Sequence, residues 1–227
     1  MLELNLLSSK RGGHVSEGNP VLLSDMQPNS RWSPSGTTVS SELAPNGDTC
    51  ELWRNDGASC KQIDLTAVLS GKPFILGCYI KPSSYQAQYG NSPPSAWVLQ
   101  VGSFNAAFMV FNAKPGTGTA AYPKTNSVTG TTNLQVFSET VSPVDVWTHI
   151  ALSFDPSTGK LAGFVNGAFF GETNSGAPST YTLFMGGIGD RTNIGGGSLA
   201  RYGYRGLISN IRYLNQYVNY DFDPLTF

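Results

Sequence analysis

Charged side chains are scarce in this chain. Asp, Glu, Lys and Arg make up 13% of its 227 residues, against about 25% in typical soluble domains. The 14 basic and 15 acidic residues nearly cancel, and no run of Lys or Arg gathers in one place. Because nucleic-acid binding depends on clustered positive charge that releases counterions, a nucleic-acid partner is not expected.

Long apolar runs are missing as well. No stretch approaches the roughly 18–20 apolar residues that span a bilayer, so membrane insertion is not expected. The opening residues, MLELNLLSSKRGG, place no basic region ahead of an apolar core, which is not the pattern of a signal peptide. We therefore expect an unprocessed chain.

Cysteine occurs three times, without the spacing of a metal site. Cys78 lies inside an apolar run and is predicted to be a small buried hydrophobe. Cys50 and Cys60 are close enough in sequence to form a disulfide. In a reducing cytosol three free thiols are the simpler expectation, and the sequence does not decide whether the two pair.

The chain is rich in small polar residues, glycine and aromatic residues instead of charged ones. This composition favours short strands joined by tight turns. The chain is long enough to bury a large core without disulfides or metals. It contains no internal repeat and no linker between domains. We expect residues 1–20 to form a first strand or a docking arm, and residues 21–227 to form a single domain.

The most informative stretch is a predicted three-stranded meander from Val146 to Glu172. Two turns divide it: Asp155–Gly159, with Pro and a final Gly, and Asn166-Gly167, the dipeptide typical of a type I′ hairpin. In the first strand, alternation separates two faces. One face carries Thr148, Ile150, Leu152 and Phe154, and the other carries Trp147, His149, Ala151 and Ser153.

This order of a Trp-x-His strand, an Asp…Gly turn and an aromatic-Val-Asn-Gly hairpin resembles the late core of concanavalin A-like jelly rolls, especially the laminin-G-like branch. The segments Asn19–Trp32, Ala44–Asp56 and Phe74–Pro82 are similar to jelly-roll modules of bacteriophage structural proteins. Asn46 stands where those modules carry Asp in a turn, and Asp48 is an additional residue before Thr49. The resemblance implies the topology of the fold.

Further strands are predicted by runs bounded by Gly, Pro, Asn or Ser. These are Ser95–Ser103, Ala106–Asn112, Asn133–Glu139, Tyr181–Ile188 and Tyr204–Leu214. The last resembles the closing strand of laminin-G-like domains. About a dozen short strands without a long amphipathic helix predict an all-β fold, an antiparallel two-sheet β-sandwich of the concanavalin A-like jelly-roll type.

Catalytic patterns are absent from the sequence. The Glu-x-Asp-x-x-Glu strand of β-glucanases, which share this fold, does not occur. Neither histidine, His14 or His149, lies near a recognisable nucleophile motif. We expect His149 to be a packed sheet residue that donates to a neighbour, and the chain not to be an enzyme.

A calcium site is a weaker alternative to a chain without cofactors. Asp190 and Asn193 offer oxygen ligands, with Asp155 as a further donor. Calcium sites usually gather several carboxylates, whereas this loop has one beside Arg191. A surface loop without metal is the preferred interpretation.

Two places carry the aromatic and polar groups that carbohydrate or partner binding needs. One flanks residues 90–94 and the other spans residues 190–204. The candidate binding residues are Tyr85, Tyr89, Trp97, Asp190, Arg191, Asn193, Arg201, Tyr202 and Tyr204. The alternatives are core packing for Trp97, which lies in an alternating strand, and a protein contact for the Tyr- and Arg-rich loops.

Together, the resemblance and the missing catalytic patterns predict a non-enzymatic bacteriophage virion surface protein. It would be a decoration or accessory protein of a capsid, neck or tail, present in many copies, assembled in the host cytoplasm and contacting other virion proteins. The alternative is a receptor-binding or adhesion module that recognises a host-surface glycan. A secreted laminin-G-like lectin of cellular origin is disfavoured by the N-terminus and the odd cysteine count.

Overall fold

The computed structural model describes residues 15–28, 37–54, 61–84, 96–103, 106–114, 118–122, 136–138, 143–174, 180–185 and 204–227. These ranges contain sixteen β-strands, one short helix, α1 (Thr66–Leu69), and two 3₁₀ turns, Leu23–Asp25 and Pro224–Thr226. The strands pair antiparallel in two sheets.

The larger sheet has nine strands in the order β13-β12-β11-β6-β15-β4-β3, and β16 pairs with both β6 and β1. Its strands are β1 (Asn19–Val21), β3 (Thr38–Val39), β4 (Cys50–Arg54), β6 (Phe74–Ser84), β11 (Thr148–Asp155), β12 (Lys160–Val165), β13 (Ala168–Asn174), β15 (Arg205–Ser209) and β16 (Ile211–Leu214).

The smaller sheet has seven strands in the order β10-β9-β8-β7-β14-β5-β2. Its strands are β2 (Gln27–Pro28), β5 (Lys61–Asp64), β7 (Ala96–Ser103), β8 (Ala106–Lys114), β9 (Gly118–Tyr122), β10 (Val136–Ser138) and β14 (Thr182–Met185).

The main core lies between the two sheets. The larger sheet contributes aromatic and aliphatic side chains such as Trp53, Phe154 and Ile80, and the smaller sheet contributes others such as Leu99 and Leu183. Burial of these apolar surfaces is the main favourable term in folding. The two-sheet antiparallel sandwich predicted from strand spacing is confirmed.

A second apolar layer covers part of the outer face of the larger sheet. Ala151 and Phe164, which point away from the main core, pack against Val15, Val218, Phe222 and Phe227. Consequently β11 is buried on both faces along Thr148 to Phe154. The sequence pattern separated these two faces correctly, but it did not indicate that a distant segment covers the outer one.

The Asn166-Gly167 hairpin is confirmed, since φ is 51° at Asn166 and 74° at Gly167. The backbone N–H of His149 donates to the Asn166 side-chain oxygen at 2.9 Å. The backbone N–H of Phe222 donates to the carbonyl of Gly167 at 3.0 Å. The turn therefore anchors the segment that covers the outer face.

Replacing Gly167 with alanine is expected to lower the free energy of unfolding by about 2 kcal/mol. A Cβ atom there would overlap the carbonyl oxygen of Phe222 and lie 2.8 Å from Pro224, in addition to straining a positive φ. The matched control is Gly47→Ala, because Gly47 has φ of 83° but nothing within 4 Å of its added Cβ. Chemical unfolding of both variants measures the difference, and equal losses would contradict a role for the Phe222 contact.

Asp48, the additional residue before Thr49 in the phage-type pattern, has a structural role in the turn at Ala44–Asp48. The guanidinium of Arg212 donates to both carboxylate oxygens of Asp48 at 2.9 Å and to the backbone oxygen of Phe227 at 3.2 Å. Bidentate pairs of this kind are both strong and directional. Asp48 therefore joins the turn to β16 and to the covering segment.

Several elements differ from expectation. The predicted strand Tyr204–Leu214 is two strands, β15 and β16, and both pair with β6. Strands β5 and β9 were not predicted. Within the predicted arm, Val15 is buried and β1 pairs with β16, whereas residues 1–14 lie outside the described residues.

The two described cysteines are buried. Cys78 belongs to the main core, as predicted, and Cys50 is a free thiol on the outer side of the sheet. Burial raises the pKa of Cys50 to about 11, so the unreactive thiol form dominates at neutral pH. Cys60 lies outside the described residues.

Candidate functional site

Strand register places the flanks of both predicted binding loops at one end of the sandwich. In the larger sheet, Arg205 pairs with Ser84 on one side and with Arg54 on the other. In the smaller sheet, Met185 pairs with Lys61 and with Leu99. Residues 55–60, 85–95 and 186–203 connect these strands. We call the end defined by Arg54, Ser84 and Arg205 the loop end.

Most of the predicted binding residues lie outside the described residues. These are Tyr85, Tyr89, Asp190, Arg191, Asn193, Arg201 and Tyr202. The backbone of Trp97 lies in β7, opposite Asn112 of β8.

Tyr204 is the exception, because the structure places its side chain in the main core. It is 1% exposed, and its hydroxyl donates to the carbonyl of Leu207 at 3.0 Å. A ring buried in this way does not offer its face to a surface ligand. Tyr204 is therefore corrected from a binding residue of the rim to a core residue.

A cluster of aromatic and charged side chains lies on the outer face of the larger sheet near the loop end. Trp147 directly precedes β11, and the pairing of Thr148 with Ile80 brings it beside Lys81. The ammonium of Lys81 lies 5.9 Å from the centre of the Trp147 ring. Glu42 Oε1 accepts from Lys81 Nζ at 2.7 Å and from Trp147 Nε1 at 3.2 Å. We call Glu42, Lys81 and Trp147 the Trp147 site.

Backbone hydrogen bonds hold each part of this site in place. The Ser40 hydroxyl accepts from the Glu42 N–H at 3.0 Å, and the Ser40 N–H donates to the carbonyl of Cys50 at 2.8 Å. On the other side, the Asp145 N–H donates to the carbonyl of Pro82 at 2.7 Å. The Tyr79 ring meets the Trp147 ring edge-on at 6.5 Å. A ligand would therefore find these groups already ordered.

The Trp147 site is open to solvent. Its side chains are 44% exposed at Glu42 and 24% exposed at Lys81, and Trp147 is half-buried. An ion pair with this exposure contributes only about 0–1 kcal/mol to stability. Both bonds to Glu42 use Oε1, so Oε2 has no hydrogen-bond partner among the described residues. The site thus presents an aromatic surface together with an acceptor and a donor.

His149 lies next to this site but is buried. Its ring packs against Tyr79 at 4.9 Å, Phe227 at 5.6 Å and Phe222 at 5.8 Å. Burial lowers the pKa of His149 to about 3, so the ring is neutral at physiological pH. The expectation of a packed sheet residue is confirmed, and Nδ1 of its ring has no hydrogen-bond partner.

No described part of the chain gathers three or more His, Cys, Asp or Glu side chains that could hold a metal ion. Asp155, the further donor considered for calcium, accepts from the hydroxyls of Ser157 and Thr158 at 2.7 and 2.8 Å. These hydrogen bonds lower the pKa of Asp155. It also lies at the end of β11 opposite Thr148, away from the loop end. The calcium site stays a prediction.

The helices in the described ranges are all too short or too polar to cross a membrane.

Sequence reasoning missed Glu42 and Lys81 as candidate binding residues. The available signal was the alternation that puts Trp147 on the same face as His149 and Ala151. Its partner Glu42, however, is separated from it by 105 positions, and no local pattern connects them.

No family model and no curated protein matches the chain. The chain is, however, similar in fold to solved structures. One is domain 4 of AbnA, an extracellular arabinanase from Geobacillus stearothermophilus, in complex with arabinotriose. The two chains are 14% identical, the comparison covers 85% of this chain and 82% of that chain, and the TM-score is 0.55.

Two further similar structures belong to botulinum neurotoxins. The binding domain of neurotoxin DC in complex with SialylT has 9% identity, a TM-score of 0.53 and coverage of 82% of this chain and 42% of that chain. Neurotoxin type C, described as interacting with two ganglioside molecules, has 12% identity, a TM-score of 0.51 and coverage of 88% and 48%. The chain thus spans less than half of these two. At such identities the likeness establishes the fold alone, an antiparallel β-sandwich.

Proposed function

We propose that this chain is a non-enzymatic carbohydrate-binding module whose binding surface is the Trp147 site and the adjoining loop end. The observation that carries the proposal is the ordered, solvent-open combination of an indole ring, a carboxylate and an ammonium group in the Trp147 site. Saccharides present apolar C–H faces and hydroxyl groups, so they are recognised by aromatic rings and a few placed polar groups.

Three further observations support this proposal. The similar solved structures with TM-scores above 0.5 include proteins whose names mention arabinotriose, SialylT and ganglioside. In addition, the exposed Glu42–Lys81 ion pair contributes little to the stability of the fold. A role in ligand binding accounts for its presence. The loops that carry Tyr85, Tyr89, Arg201 and Tyr202 are joined to the sheets at the same end.

Replacing Trp147 with alanine is expected to weaken glycan binding by at least about tenfold, because the variant loses the stacking surface and the indole N–H that holds Glu42. The measurement is binding of the full chain to a glycan array, followed by titration calorimetry with the best ligand. Tyr220→Ala is the matched control, since Tyr220 is an exposed aromatic on a different segment. Circular dichroism checks that both variants are folded. A folded Trp147→Ala variant with unchanged affinity would overturn the role of this site.

A second candidate function is attachment to a larger assembly as a bacteriophage virion surface protein, a decoration or accessory component. Large apolar side chains lie exposed beside the Trp147 site in sequence: Leu43, Val144 and Val146. Exposed apolar residues of this kind favour protein contact. Together with the phage-type motifs, they support a docking surface on other virion proteins. Cosedimentation with purified particles tests this role, and a chain that stays in the supernatant would contradict it.

A further inference from the structure

We propose that the Trp147 site selects neutral saccharides over acidic ones, and that it binds a pair of adjacent hydroxyl groups between Glu42 and Lys81. This inference rests on the proposed carbohydrate-binding function and goes beyond it by naming the ligand class. It follows from how charge is distributed among the three side chains.

The positive charge of the site is already matched by a negative one. Lys81 Nζ lies 2.7 Å from Glu42 Oε1, which is the distance of a direct ion pair. Asp145, an exposed residue two positions before Trp147, adds a further acidic side chain in this part of the sequence. The site therefore offers no net positive charge to a carboxylate.

An acidic saccharide would have to compete with Glu42 for Lys81. Its carboxylate would approach a second carboxylate in the same place, and like charges at short range repel. A neutral hydroxyl avoids this repulsion because it both donates and accepts. It can donate to Glu42 while its neighbour accepts from Lys81.

The free hydrogen-bonding positions suit such a pair. Glu42 Oε2 has no partner among the described residues, and Lys81 carries three donors, of which one is used by Glu42 Oε1. Because Lys81 Nζ also lies 5.9 Å from the centre of the Trp147 ring, a ligand that bonds to Lys81 is brought close to that ring. The apolar face of the sugar then lies on the indole.

The test uses fluorine NMR of the full chain labelled with 5-fluorotryptophan. The sequence has four tryptophans, and the signal lost in Trp147→Phe identifies Trp147. The probes are arabinotriose, lactose and 3′-sialyllactose. The last two form a matched pair that differs by one acidic sugar. We expect arabinotriose or lactose to shift the Trp147 signal, and 3′-sialyllactose to bind no more tightly than lactose.

Glu42→Gln is the diagnostic variant because it keeps an acceptor oxygen while leaving Lys81 without its counter-charge. We expect it to weaken neutral binding by about tenfold, equal to about 1.4 kcal/mol, and to shift the preference toward 3′-sialyllactose. Gln216→Glu, a charge change on a different segment, serves as the control.

The outcomes separate the inference from the function on which it rests. Binding of an acidic sugar at Trp147 in preference to the neutral one would overturn the inference and leave carbohydrate binding intact. Saccharide binding that leaves the Trp147 signal unmoved would overturn the inference and the Trp147 site as the binding surface, but not carbohydrate binding by the chain. If no saccharide on the array or among the probes binds, the proposed function itself fails.

Discussion

Replacing Lys61 with methionine is expected to lower the free energy of unfolding by about 3–5 kcal/mol. Lys61 on β5 of the smaller sheet donates to both oxygens of Glu51 on β4 of the larger sheet, at 2.6 and 2.8 Å. Only 15% of the Lys61 side chain and 9% of the Glu51 side chain are exposed. The substitution leaves a carboxylate buried without its counter-charge, beside Trp53 in the core. Urea unfolding at pH 7 measures the loss.

The double variant Glu51→Leu with Lys61→Met is the control for this prediction. Replacing both partners of a buried ion pair by apolar residues is often neutral or stabilising, so we expect it to recover most of the lost stability. If the single and double variants were equally unstable, the loss would come from packing around Lys61 and Trp53, whose ring lies 6.0 Å from the ammonium.

Acidification is expected to destabilise the protein through His149 at pH values where most carboxylates are still ionised. Burial lowers the pKa of His149 from 6.5 to about 3, so between these values the unfolded chain binds a proton that the folded chain does not. Its contribution is therefore present above pH 6.5 and is lost as the pH falls toward 3. The slope is about 1.4 kcal/mol per pH unit, and the total is on the order of 5 kcal/mol.

Chemical unfolding at pH 7, 6 and 5 tests this. We expect His149→Phe, which keeps an aromatic ring among Tyr79, Phe222 and Phe227, to remove most of the slope between pH 6.5 and 5. The quantity compared is the slope of the free energy of unfolding against pH. A substitution that only shifts the stability at pH 7 leaves this slope unchanged. His14→Gln is the comparison variant at the other histidine of the sequence. Hydrogen bonds lower the pKa of Asp155 and of Glu172 from their ordinary values of 3.8 and 4.5, so the pH dependence that these two groups add to stability falls mainly below pH 5.

Local chemistry made much of the fold predictable. The meander from Val146 to Glu172 carries its turns in its own sequence, and its backbone conformation at Asn166 and Gly167 follows from the positive φ that the turn needs. By contrast, β5 (Lys61–Asp64) is a polar tetrapeptide without apolar alternation. It becomes a strand because β14 and β2 pair with it on either side, and that information lies far away in the sequence.

The candidate site was predictable only in part. Aromatic and polar loop residues indicated binding chemistry, and register brings the flanks of both predicted loops to the same end of the sandwich. Tyr204 was misassigned because its aromatic and polar neighbours resemble a rim, whereas its hydroxyl is satisfied within the core by the carbonyl of Leu207. The Trp147 site depends on a contact with Glu42 that only the folded chain creates.

The burial of β11 on both faces has a consequence for the stiffness of the Trp147 site. Strand β11 is hydrogen-bonded to β6 and β12, so its amides can exchange with deuterium only when neighbouring strands and covering layers separate. Segments of this kind open with free energies near that of global unfolding. Trp147 directly precedes this strand, so its backbone is attached to a segment that opens rarely. A ligand that binds to Trp147 therefore loses little free energy to the ordering of this residue.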